Sequence, residues 1–158
     1  MKKRTDFVTN SSSSSFILAF TNEESIPEEL KLGLKGRNMY FFDRIMNDIK
    51  DAPSVSKEEV KSMIDEANRQ TVRDGIISRH LGWKASYEDI IDFMDTDEYI
   101  KERNQKLSTI NDRTENQLKD KTIFVEVRYD DEFEEDDAIL EHEVMPNHPA
   151  TVHTISYH

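Results

Sequence analysis

Apolar positions along the chain follow strand-like patterns at its two ends and helical spacing between them. Phe16-Ile17-Leu18-Ala19-Phe20 is apolar at every position and bounded by polar turn formers, which marks a short buried strand. Thr122-Ile123-Phe124-Val125-Glu126-Val127-Arg128-Tyr129 is rich in β-formers, and its second half alternates apolar with charged residues. Thr151 to Tyr157, set off by Pro146 and Pro149, reads as a final strand. Helical signals begin at Ser25-Ile26-Pro27-Glu28-Glu29, where proline lies near the first helical position and acids fill the first turn. Gly33 and Gly36 keep that helix short. A second helix is predicted from Asn38 to Lys50, with Tyr40, Phe41, Ile45, Met46 and Ile49 forming a broad apolar face.

Ser56-Lys57-Glu58-Glu59 is a capping-box sequence, and behind it Val60, Met63, Ile64 and Ala67 share one helical face. Gly75 reads as a terminator or kink. Trp83, between Gly82 and Lys84, is expected to anchor a loop in the core, with a binding aromatic as the alternative. Ser86 starts another helix, with Asp89 at its third position and Ile90, Ile91, Phe93 and Met94 inside. Asp95-Thr96-Asp97-Glu98 breaks and recaps it, which puts Tyr99, Ile100 and Leu107 on a separate helix. The same Asp-x-Asp spacing occurs in cation loops, but a calcium site also needs a glycine and a distant glutamate, so a helix cap is the better reading. Asn111 to Lys119 is polar and reads as a connection, and Ala138 to Met145 fits either a helix or a strand.

Strands need hydrogen-bonding partners, so Phe16 to Phe20 is expected to pair with the two C-terminal strands. The expected fold is α+β: one small sheet formed by N- and C-terminal strands, covered by a central block of three to five helices, in a single domain spanning residues 1–158. Within it, residues 1–15 form a polar serine-rich arm or loop, residues 25–119 are mainly helical, and residues 121–158 form a β-rich acidic part. This topology would make neighbours of Ser11 to Ser15 and the C-terminal segment.

A chain of 158 residues can bury one substantial core. The absence of cysteine excludes disulfides, thiolate metal sites and cysteine nucleophiles. No stretch approaches the roughly 20 apolar residues that span a bilayer. The basic start Met1-Lys2-Lys3-Arg4 is not followed by the apolar run of a signal peptide. A cytoplasmic protein with no membrane association is therefore expected.

The net charge is −12, and seven of the eight residues from Asp130 to Asp137 are acidic. Free nucleic-acid binding is disfavoured by repulsion from phosphate, whereas a basic protein partner or a divalent metal is favoured. A solvated acidic loop is the plainer reading of the run. Nothing in the sequence fixes the oligomeric state.

Three sets of residues carry candidate chemistry. Four of the five histidines lie in the last 17 residues, and Asp130, Asp131, Glu141, His142, His153 and His158 form a candidate metal-ligand set. Carboxylates and imidazoles suit zinc, manganese or iron in a thiol-free protein. On a strand, however, His142 would face away from Glu141 and Glu143, and His153 and His158 would point to opposite faces. Unrelated surface histidines are the plainer reading. The second set is Ser11, Ser12, Ser13, Ser14 and Ser15 with Arg4 and Asn10, a loop whose hydroxyls and successive N–H groups would hold an anion. It lacks the glycines and lysine of a P-loop, and there is no Gly-x-Ser-x-Gly elbow. A polar arm competes with this reading, and serine runs are also modification targets. The third set, Asp130, Asp131, Glu134, Glu135, Asp136 and Asp137, would face a basic partner.

The opening Lys3-Arg4-Thr5-Asp6-Phe7-Val8-Thr9-Asn10, the serine run and Phe16-Ile17 resemble the start of a group of short, uncharacterised proteins from bacteria and their phages. The ending, with Leu140-Glu141-His142, a Met-Pro turn, His153, Ile155-Ser156 and His158, is similar to the tail of some members. The resemblance implies a bacterial or phage context and a feature shared by the two termini. Three functions stay open: a ligand or metal site joining the serine loop to the acidic, histidine-bearing segment; an acidic interaction protein or phage-type modulator; and a modification substrate.

Overall fold

The computed structural model describes residues 13–131 and 135–157, which form an α+β fold built on a three-stranded antiparallel sheet. Strand β1 (Ser13–Phe20) is central, flanked by β2 (Ile123–Asp130) and β3 (Thr151–Tyr157) in the order β2-β1-β3. The N-terminal strand thus lies between the two C-terminal ones. This explains its unbroken apolar run, because Phe16 to Phe20 are fully buried.

β1 also takes in three of the serines. Ser13 to Ser15 pair with Arg128 to Asp130 on one side and with Ile155 to Tyr157 on the other. A backbone ladder on both edges outweighs the low strand preference of serine. The register is continuous against β2, with Phe16 opposite Val127 and Leu18 opposite Val125. It shifts against β3 between Ile17 and Leu18. The outer edge of β2 is covered by the segment before the third helix: Val55 N–H donates to Phe124 O (2.9 Å), and Glu126 N–H to Pro53 O (3.1 Å).

The chain divides into two compact units, Met1–Val60 with Asp120–His158, and Lys61–Lys119. In the first, one sheet face (Phe16, Leu18, Phe20, Val125, Val127) packs on α1 (Ile26–Gly33) and α2 (Phe42–Asp51) through Leu30 and Ile45, and on Phe41 from the 3-10 helix Gly36–Phe41. The helix expected from Asn38 is therefore α-helical only from Phe42. The same core receives Leu140, Val144 and Met145 from a helical stretch. That stretch consists of α6 (Glu135–Ile139), a wide π turn (Leu140–Val144) and α7 (Met145–Asn147). The segment Ala138 to Met145, which fitted helix or strand, is therefore helical.

Gly33 is set by packing in this unit. A Cβ there would overlap the imidazole of His148. That ring is buried, with Nδ1 accepting from Ala150 N–H (2.9 Å). Its Nε2 must then carry the proton, donated to Leu30 O at 2.9 Å.

The second unit contains most of α3 (Lys57–Leu81), with α4 (Tyr87–Met94) and α5 (Asp97–Leu118). Two expectations need correction. Gly75 does not end α3; it lies inside the helix, which stops at Gly82 in the left-handed region (φ +76°). Asn111 to Lys119 is not a connection but largely the last turns of α5, since no glycine or proline interrupts it and Leu107 and Ile110 anchor the preceding turns in the core.

The cap readings hold. Ser56 Oγ accepts from Glu59 N–H (3.1 Å), Ser86 and Asp89 form a reciprocal capping box, and Thr96 caps α5 by accepting from Tyr99 N–H (3.2 Å). The core of this unit is Val72, Ile76, Tyr99 and Leu107, with Phe93 and Met94 against it. Trp83 does not anchor this core: it is 86% exposed. Among the described residues no helix is long and apolar enough to cross a membrane.

Candidate functional site

Leu140, Val144 and Met145 enter the core of the first unit at helical spacing and carry Glu141 in beside them. Glu141 is only 3% exposed. Its Oε2 accepts a hydrogen bond from Ser14 Oγ at 2.8 Å, a contact between residues 127 apart in sequence. His142 follows at the surface. Its Nε2 lies 3.2 Å from Glu141 Oε1 and 3.3 Å from Asp131 Oδ2. Asp131 is placed by the end of β2, one residue beyond the last ladder pair. One ligand atom from each of Asp131, Glu141 and His142 falls within 4.8 Å of the other two.

Sheet register explains the Ser14 contact. Residues directly opposite on antiparallel strands share a face, so Ser14 projects with Tyr129 toward the helical layer. Tyr129 donates to Asp48 Oδ2 (2.7 Å), and the Arg44 guanidinium lies 5.5 Å from its ring centroid. Arg44 bridges Asp48 (3.0 Å) and Asp137 (2.7 Å), tying α2 to the first turn of α6. Burial, with the Asp48 carboxylate as hydrogen-bond acceptor, pushes the Tyr129 phenol far above its ordinary range. It therefore acts as a fixed donor.

The rest of the predicted metal set is not assembled here. Asp130 lies opposite Ser13, and His153 opposite Ile17, both on the sheet face away from Ser14. His153 is half-buried, and burial lowers its pKa. His158 lies outside the described residues. The strand argument that separated Glu141 from His142 does not apply, because they sit on a helical turn.

The anion-cradle reading changes as well. Ser13 to Ser15 are extended and paired on both sides, so among the described residues they form no looped nest of N–H groups. Ser13 Oγ accepts from Arg128 (3.0 Å), Ser14 is bound to Glu141, and Ser15 Oγ is buried with no hydrogen-bond partner among the described residues. Arg4, Asn10, Ser11 and Ser12 lie outside the described residues.

The acidic run is partly engaged inside the unit. Asp137 pairs with Arg44, and Asp136 Oδ2 accepts from Tyr40 OH (3.3 Å). Glu135, Asp136 and Asp137 also occupy the first turn of α6, where the helix dipole favours acids. Glu134 lies outside the described residues.

Two roles escaped the sequence reading. Ser14 as the partner of Glu141 left no mark distinguishing it from its neighbours in the serine run. The Arg44–Asp48 pair had a usable signal, opposite charges four residues apart on a predicted helix.

No family model, curated protein or solved structure matches the chain. Function has therefore to be read from the geometry itself.

Proposed function

We propose that the protein binds a divalent cation through Asp131, Glu141 and His142. The observation that carries this reading is the convergence of one imidazole and two carboxylates within 4.8 Å, one of those carboxylates being almost wholly buried. In zinc sites ligand bonds are about 2.0–2.2 Å long, so three donors at this spacing reach a common ion with small side-chain movements. His142 Nε2 lies between two carboxylate oxygens, so a cation coordinated by all three groups would offset the negative charge of the carboxylates.

Ser14 plays the part of an outer-shell donor. It holds Glu141 Oε2 and leaves Oε1 facing the site. The π turn that carries both Glu141 and His142 is a feature found often at functional sites. One nitrogen and two oxygen donors suit zinc, manganese or iron; calcium takes about six to eight oxygens. Three protein ligands leave at least one position for water or a small ligand.

Metal content of untagged protein, measured after purification without chelator and again after incubation with zinc or manganese and desalting, tests the reading. One equivalent in the wild type and its loss in Glu141→Gln and His142→Ala, each checked for native circular dichroism, is the expected result. No stoichiometric metal in the wild type after either treatment overturns it.

A further inference from the structure

We infer that the second unit carries a docking groove for a basic amphipathic helix of another protein, formed by α4 and the turn before it. The groove, of about 490 Å³, is lined by Trp83, Tyr87, Ile90, Ile91, Met94 and Ile77. Trp83 is held out by the turn at Gly82 and is 86% exposed; Tyr87 is 78% and Ile91 44% exposed. Tyr87 and Ile91 are four residues apart and share a helix face.

Five of the eight residues of α4 are apolar, yet none is buried. A short helix owes most of its stability to a covered apolar face; Phe93 and Met94 supply this against the core, while the face with Tyr87 and Ile91 is left exposed. Exposed tryptophan and tyrosine around a cavity are the residues that most often dominate association.

Charge identifies the occupant. Glu88, Asp92 and Asp95 lie along or just beyond α4, which holds no basic residue. Asp92 and Asp95 sit at its C-terminal end, where the helix dipole disfavours acids and a partner's cations would be favoured. Two cations lie nearby: Arg73 lines the groove paired with Asp74 (3.1 Å), and the Lys84 ammonium lies 5.0 Å from the Trp83 ring centroid, so these acids still outnumber the unpaired bases. A second copy of this chain would set the same acids against each other. A helix with an apolar stripe and lysine or arginine flanks matches both the groove and its rim.

Trp83 is the sole tryptophan of the chain, so its fluorescence reports this groove alone. The probe is a synthetic amphipathic peptide of leucine and lysine, about four helical turns long, with a leucine–glutamate counterpart of the same length. Titration with the basic peptide is expected to give a saturable blue shift that the acidic peptide does not give. Ile91→Asp adds acid but removes an apolar contact, and is expected to weaken binding by roughly tenfold to a hundredfold. Tyr87→Ser serves the same purpose if Ile91→Asp loses its native circular dichroism.

Equal shifts with both peptides, or undiminished binding to whichever of the two variants keeps its fold, would overturn the inference. So would emission of the free protein that is already blue-shifted or shifts with protein concentration, since the groove would then be covered by the chain itself or by a second copy.

Discussion

At the scale of single residues, the first unit depends on polar groups that burial forces into one arrangement. Burial lowers the pKa of His148 below the ordinary value near 6.5, against the opposing pull of its bond to Leu30 O, and the Ala150 N–H that donates to Nδ1 requires the neutral ring. In the unfolded chain the imidazole regains that ordinary value. Above pH 6.5 neither state is protonated and the stabilisation is complete. Below it the unfolded state takes up the proton first, so stability falls as pH drops toward the lowered folded-state pKa. Thermal melts between pH 5 and 7.5 are expected to show this slope. His148→Gln, which keeps a donor for Leu30 O but cannot be protonated, is expected to reduce it; the part left by His153, whose pKa is also lowered, remains.

Gly33 belongs to the same cluster. Gly33→Ala pushes a methyl into the His148 ring and is expected to cost about 1–3 kcal/mol in urea denaturation. Ser14→Ala removes a donor from a buried carboxylate and is expected to cost a similar amount, about 1–3 kcal/mol. An unchanged unfolding midpoint in Ser14→Ala would show that this contact does not hold Glu141 in place.

At the scale of elements, caps and alternation were legible and lengths were less so. Thr151 to Tyr157 is a strand with the bounds its sequence suggests, and the Ser86 and Thr96 caps sit where hydroxyls precede acids. β1 is longer than its apolar core because long-range pairing, which local composition does not report, recruits Ser13 to Ser15. Periodicity alone could not choose helix or strand for Ala138 to Met145, and that choice decides whether Glu141 and His142 meet. Asp131, Glu141 and His142 could thus be named from the sequence, but their separation from His153 could not, since it follows from sheet register. Thr96→Ala removes the N-cap of α5 and is expected to lower stability by about 0.5–2 kcal/mol in the same denaturation assay.

At the scale of the molecule, charge is divided unevenly between the two units. The first carries 21 acids against 11 bases, the second 12 against 10. Self-repulsion in the first unit favours cations, and a site that binds only the folded state raises stability by mass action. Diffuse screening would do this for any divalent ion, whereas a built site discriminates by ligand chemistry and depends on named residues. Calorimetric titration of zinc into metal-stripped, untagged protein separates the two. One saturable site that is lost in folded His142→Ala is the result predicted for coordination by Asp131, Glu141 and His142. No saturable heat, or the same isotherm in wild type and His142→Ala, would contradict it.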